Sequence, residues 1–204
     1  MDRSPSGIAR SIRLAREGRQ EALSDLLEMH RNYLRLLAAS CLRRDMQGKA
    51  DPSDVVQETL LKVHENFRQF RGTTEPEWLA WLRQILVRQL TDIQKGFLCQ
   101  RRQVSRERSL EILVDRSSAM LCNLVPAPGP SPSKEAQRRE AAALVADAIA
   151  ELEPGDRDVV ILRNLHELDW NTVGEKTGRS PDAARMLWAR VMQRMGGLLK
   201  ERLS

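Results

Sequence analysis

The sequence predicts an all-α protein: two small helical domains joined by a flexible linker rich in proline and serine, the C-terminal one a helix-turn-helix. Three observations predict it. Aromatic residues make up only 4% of the 204 residues, while Arg, Leu, Ala, Glu and Gln dominate, which favours helix over strand. Apolar residues recur at helical spacing in both ends of the chain, and no segment alternates as a strand does. Between those ends, Pro126-Ala127-Pro128-Gly129-Pro130-Ser131-Pro132-Ser133 cannot continue any helix. The predicted division is an N-terminal domain over 8–98, a linker over 99–133 and a C-terminal domain over 134–204.

In the N-terminal block a helix near Leu23 to Leu42 carries Leu26, Leu27, Leu34, Leu37 and Ala38 at helical spacing, and Met46-Gln47-Gly48 begins a loop. The next helix is acidic in an otherwise basic chain. Asp51 suits the N-cap, Pro52 the first helical position, and Asp54 the place of a reciprocal capping carboxylate. Val56, Leu60, Val63 and Phe67 form its core stripe. Asp54, Glu58, Leu61 and Glu65 line the opposite face. A leucine among carboxylates fits a docking surface for a basic partner with an apolar centre; the same spacing fits a solvated acidic face with one stray leucine.

Arg71-Gly72-Thr73-Thr74 reads as a turn, and Thr74-Glu75-Pro76-Glu77 as a capping box opening a helix to about Lys95. Leu79, Leu82, Leu86, Leu90 and Ile93 make its core stripe, bordered by Trp78 and Ile85. Trp81, Gln84, Arg88 and Lys95 occupy an adjacent, largely polar face. A tryptophan beside cations can stack an unpaired base, a contact of about 1–3 kcal/mol; it can equally close the edge of the core. Beyond it, Arg101, Arg102, Arg106 and Arg108 are opposed by Glu107 alone.

Ser133 suits the cap of a further helix that ends before Pro154-Gly155. Asp156 to Leu165 reads as a helix with Val159, Val160, Ile161 and Leu162, followed by a short one from Trp170 to Thr177 capped by Asp169. Gly178-Arg179-Ser180 makes a tight turn, with Gly178 left-handed, Ser180 capping the last helix and Pro181 at its first position. That helix should bury Ala184, Leu187, Val191, Met195 and Leu198 and present Asp182, Arg185, Met186, Ala189 and Gln193, with Arg190 and Arg194 at the margin. The pattern is that of a DNA-reading helix-turn-helix, although the same geometry also serves as plain packing. Arg185 is placed for base edges; Arg190 and Arg194 are placed for phosphates.

The net charge of +5 is compatible with polyanionic partners. Cys41, Cys99 and Cys122 are odd in number and widely separated, which argues for reduced thiols in the cytoplasm and against a zinc site. No run approaches the roughly 20 apolar residues of a membrane span. No metal or cofactor site is expected. Asp51, Asp54 and Glu58 would have to serve as nuclease ligands, yet capping accounts for Asp51 and Asp54. His30, His64 and His166 lack a Ser or Cys partner at recognisable spacing. The expectation is therefore a protein that is not an enzyme.

Taken in order, these segments resemble a bacterial RNA polymerase sigma factor of the sigma-70 family, extracytoplasmic-function (ECF) type. Asp51-x-x-Asp54-Val55-Val56-Gln57-Glu58-Thr59 resembles the helix that grips a coiled coil of the largest polymerase subunit, which implies Asp54, Gln57, Glu58 and Leu61 as polymerase-binding residues. Trp78 to Lys95 is similar to the promoter-melting segment, implying single-strand contacts by Trp81, Gln84, Arg88, Gln89 and Lys95. Leu152-Glu153-Pro154 through Arg190 resembles the domain that reads the minus-thirty-five element, implying duplex contacts by Arg179, Ser180, Arg185, Met186, Ala189, Arg190 and Arg194.

Two departures stand out. Arg88 followed by Gln89 replaces an asparagine usual in the melting helix, and Val173-Gly174-Glu175 replaces isoleucine-alanine-glutamate. The bulky Met186 and Trp188 give the recognition helix its own character. The implied partners are core RNA polymerase and promoter DNA, duplex and single-stranded, with an anti-sigma factor as a restraint such a protein can have. A stand-alone helix-turn-helix regulator is the alternative; it would leave the acidic face unexplained.

Overall fold

Why the acidic helix and its neighbours form one core follows from their apolar stripes. The structure, a computed structural model, describes residues 5–42, 51–97, 103–124 and 142–203. Every regular element among them is helical, and the chain divides into two compact units, Met1–Arg116 and Ser117–Ser204. Among the described residues no helix is long and apolar enough to cross a membrane.

The first unit contains α1 (Pro5–Arg16), α2 (Gln20–Met29), α3 (Arg31–Cys41), α4 (Pro52–Asn66), a 3₁₀ turn (Phe67–Gln69) and α5 (Glu75–Phe97). The single helix expected from Leu23 to Leu42 is two helices, broken at His30 (φ −105°, ψ 4°). The buried His30 ring explains the break. Its Nδ1 lies 2.7 Å from the Leu26 carbonyl, which the His30 backbone would otherwise have used, and the His30 N–H turns to Leu27 O at 3.2 Å.

Leu26, Leu34, Leu37, Val56, Leu60, Val63, Leu79, Leu82, Leu86 and Leu90 form the core as their spacing predicts. Trp78, expected at its border, is fully buried among Phe67 and Phe70, with ring centroids 6.0 and 5.3 Å away. Ile93 is only half-buried.

Residues Gln103–Asn123, inside the expected linker, form α6, and the division of the chain falls within it. Leu110 and Val114 bury their side chains, and Asp115 accepts from Arg83 Nε at 2.9 Å while Arg83 Nη1 donates to Tyr33 at 3.1 Å. The Met46–Gly48 loop, Cys99, Arg101, Arg102, Pro126–Ser133 and its cap at Ser133 lie outside the described residues.

The second unit contains α7 (142–150), α8 (Pro154–Val160), a π-helical turn (Ile161–Leu165), α9 (Trp170–Thr177) and α10 (Pro181–Leu203). The helix expected from Asp156 to Leu165 therefore changes form at Ile161. There the His166 N–H reaches back to Ile161 O at 3.0 Å, and the wider turn lets Asn164 accept from Trp188 Nε1 at 2.8 Å.

Val159, Val173 and Ala184 make a core against which Leu162, Leu168, Trp170, Leu187 and Trp188 pack. Trp188 thus belongs to the packing side of α10, not its exposed side. Val191 and Met195 are buried as expected; Leu187 and Leu198 are half-buried, and Leu199 is fully buried instead.

Candidate docking and nucleic-acid interfaces

Helix α4 begins where Asp51 accepts from the Ser53 N–H at 2.6 Å, a bond that holds the Asp51 carboxyl below its usual range. This cap fixes the rotation of the helix: Val55, Val56, Thr59, Leu60 and Val63 turn inward, and Asp54, Gln57, Glu58 and Leu61 turn out. Leu61 is 50% exposed, an apolar residue kept in water among carboxylates. Lys62 partly neutralises the face, 2.9 Å from Glu65 and 3.9 Å from Glu58. What this surface can do is accept a basic partner around one apolar contact. Among the described residues no group of three His, Cys, Asp or Glu side chains could hold a metal ion.

The corner between α4 and α5 is closed by three devices. The Glu77 carboxylate accepts from the Thr73 and Thr74 N–H groups at 2.9 and 3.0 Å and from Thr74 Oγ1 at 2.7 Å, which lowers its pKa. Gly72 leaves no room for a side chain, since a Cβ would lie 2.6 Å from the Phe70 ring and 2.7 Å from Glu77 Cβ. Arg16, from α1, donates to the Phe70 and Gly72 carbonyls.

Beyond the corner, Trp81 is half-buried and stacked on Phe70, centroids 5.0 Å apart at 29°. Phe70 therefore covers one ring face, Trp78 packs against the same ring at 5.5 Å and 41°, and only the remainder is open. Gln84 and Arg88 are exposed beside it and Gln89 is half-buried; the Lys95 side chain lies outside the described residues. Beneath the corner, Arg16, Arg19, Arg68 and Arg71 line a cavity of about 640 Å³ together with His64, Phe67 and Phe70.

Helix α10 starts after a turn that relies on two glycines. Gly178 is left-handed (φ 65°), and a Cβ on Gly174 would lie 2.7 Å from the Arg179 carbonyl. Asp169 caps α9, accepting from the Thr172 N–H at 3.0 Å, and Ser180 Oγ accepts from the Ala183 N–H at 3.2 Å. Arg185, Met186, Ala189 and Arg190 are exposed on one side, with Arg179 and Ser180 at the turn. Arg185 reaches Asp182 at 3.0 Å across open solvent, an exposed pair that is weak and readily broken. Arg194, expected to hold a phosphate, donates to Asp156 of α8 at 2.6 Å while its side chain stays 53% exposed. Arg179 Nη1 is likewise occupied, by the Thr177 carbonyl at 2.9 Å.

Two comparisons with known proteins bear on these surfaces. Sigma-70 region 2 matches residues 29–97, the stretch that holds α3, α4, the corner and α5. Over 188 residues the chain is 28% identical to the RNA polymerase sigma factor CarQ of Myxococcus xanthus, spanning 91% of this chain and 94% of that protein. Residues 29–97 thus carry a sigma-70 region 2, and the chain is similar to a sigma factor over nearly its whole length.

Sequence reasoning missed two residues that shape the surface around this region 2 match. Phe70 carried a usable signal, an aromatic residue three positions after Phe67 and directly before a turn. Arg16 carried none, because it acts across 54 residues of sequence.

Proposed function

We propose that this protein is an alternative sigma factor of the ECF type. It joins core RNA polymerase through Asp54, Gln57, Glu58 and Leu61, reads upstream duplex with α10, and holds the opened minus-ten strand with α5. What carries the reading is an exposed leucine within an acidic helix face inside the sigma-70 region 2 match. A protein related over nearly its whole length is itself an RNA polymerase sigma factor, which supports the same function. Its work is binding, not catalysis. Arg185, Met186 and Ala189 meet base edges and Arg190 meets phosphate, with Arg179 and Ser180 at the turn. Trp81 offers its uncovered ring face to an unpaired base, with Gln84, Arg88, Gln89 and Lys95 along the strand.

The test is run-off transcription by core RNA polymerase on genomic fragments, with and without the protein. New defined starts that vanish when Leu61→Asp and Glu58→Lys are combined support the reading. Duplex binding with no effect on transcription, and no co-elution with core enzyme, would instead indicate a stand-alone helix-turn-helix regulator.

A further inference from the structure

The corner that supports Trp81 is held by a residue far away in sequence. We propose that Arg16 is a positioning residue for strand capture, fixing Phe70 as the rigid back of the Trp81 ring. The inference rests on the strand-binding reading of Trp81 given above. Arg16 Nη2 lies 3.3 Å from the Phe70 carbonyl and also bonds the Gly72 carbonyl, while its guanidinium carbon stands 5.6 Å from the centre of the Phe70 ring. One planar cation thus supplies donors to two non-helical carbonyls and covers the aromatic ring between them.

Phe70, only 5% exposed, passes the constraint on through its stack with Trp81 and its edge contact with Trp78 at 5.3 Å. Trp78 is fully buried and cannot yield. With Arg16 in place, the half-buried Trp81 ring, set between Phe70 and Trp78, keeps one plane before any base arrives, so stacking does not have to order the ring. A lysine keeps the charge and N–H donors, but it has no guanidinium plane to lie over the Phe70 ring.

The experiment is a double-mutant cycle on the full-length protein, read as fluorescence anisotropy with a short labelled A/T-rich single-stranded oligonucleotide. Trp81→Ala should weaken binding about ten-fold or more. Arg16→Met should also weaken it several-fold, and Arg16→Lys should recover little. The Arg16→Met, Trp81→Ala double variant should bind no more weakly than Trp81→Ala alone. If the two losses multiply, or if Arg16→Lys binds like wild type, Arg16 touches the strand by charge and the positioning role is overturned while the Trp81 reading stands. If Trp81→Ala has no effect, both fall. Should Arg16→Met fail to fold, Arg16→Lys with and without Trp81→Ala carries the same cycle.

Discussion

Cys41 lies buried at the end of α3, and burial pushes its thiol up from 9.0 to about 11, with the Ser40 contact opposing weakly. The folded state thus keeps a proton that the unfolded chain releases earlier. Stability from this residue is complete below pH about 9 and is lost as pH rises toward 11, by about 2–3 kcal/mol at most. Urea unfolding at pH 8 and pH 11 should show that extra loss in wild type but not in Cys41→Ala, whose smaller side chain costs the same at both. Gly174 makes a second case at this scale. By sequence it is a small departure from alanine; in the fold its missing Cβ is what lets the Arg179 carbonyl approach. Gly174→Ala should lower stability by about 1–3 kcal/mol in thermal melts, through forced movement of backbone. No pattern in the sequence could show this, because the close neighbour is created by the turn itself.

Helix ends and buried faces were legible because they follow from local chemistry. Asp51 and Pro52 start α4, Thr74 and Glu77 fix the start of α5, and Asp169, Gly178 and Ser180 bound α9 and α10. Breaks tied to tertiary contacts were not legible: His30 divides α2 from α3 with a ring buried against Trp78, and the π turn at Ile161 serves Trp188. α6 was hidden because its buried Leu110 and Val114 sit among Arg, Ser and Glu, with Ile112 and Leu113 left exposed. The margin of α10 shows the same divide. Arg190 is exposed, but Arg194 is tied to an Asp156 side chain that is only 19% exposed. Arg190→Ala should therefore weaken duplex binding evenly across sequences and reduce the salt slope by about 1. Arg194→Ala should leave that slope unchanged and lower the melting temperature, since it strands Asp156. Equal salt effects from both substitutions would return Arg194 to the DNA.

At the scale of the whole molecule, the all-α class was readable from composition and spacing, while the way the two units share one function has to come from separable chemistry. Duplex readout depends on hydrogen-bond geometry at base edges, which Arg185 can supply from the exposed side of α10. Strand capture depends on an aromatic face that meets a base only after the duplex opens, which Trp81 can supply from α5. The two steps therefore respond to different substitutions. Arg185→Ala should relax discrimination at one base pair of the upstream element by about 1–3 kcal/mol and leave initiation from a pre-melted template intact. Trp81→Ala should permit closed complexes on the same promoter, yet permanganate should detect little unpaired thymine. A bubble template should restore part of the lost initiation, because the cost of opening is then removed while the stacking contact is still missing. If both variants lost duplex binding to the same extent and the bubble restored neither, the chain would have one DNA-reading surface, and the sigma-like division of labour would be wrong.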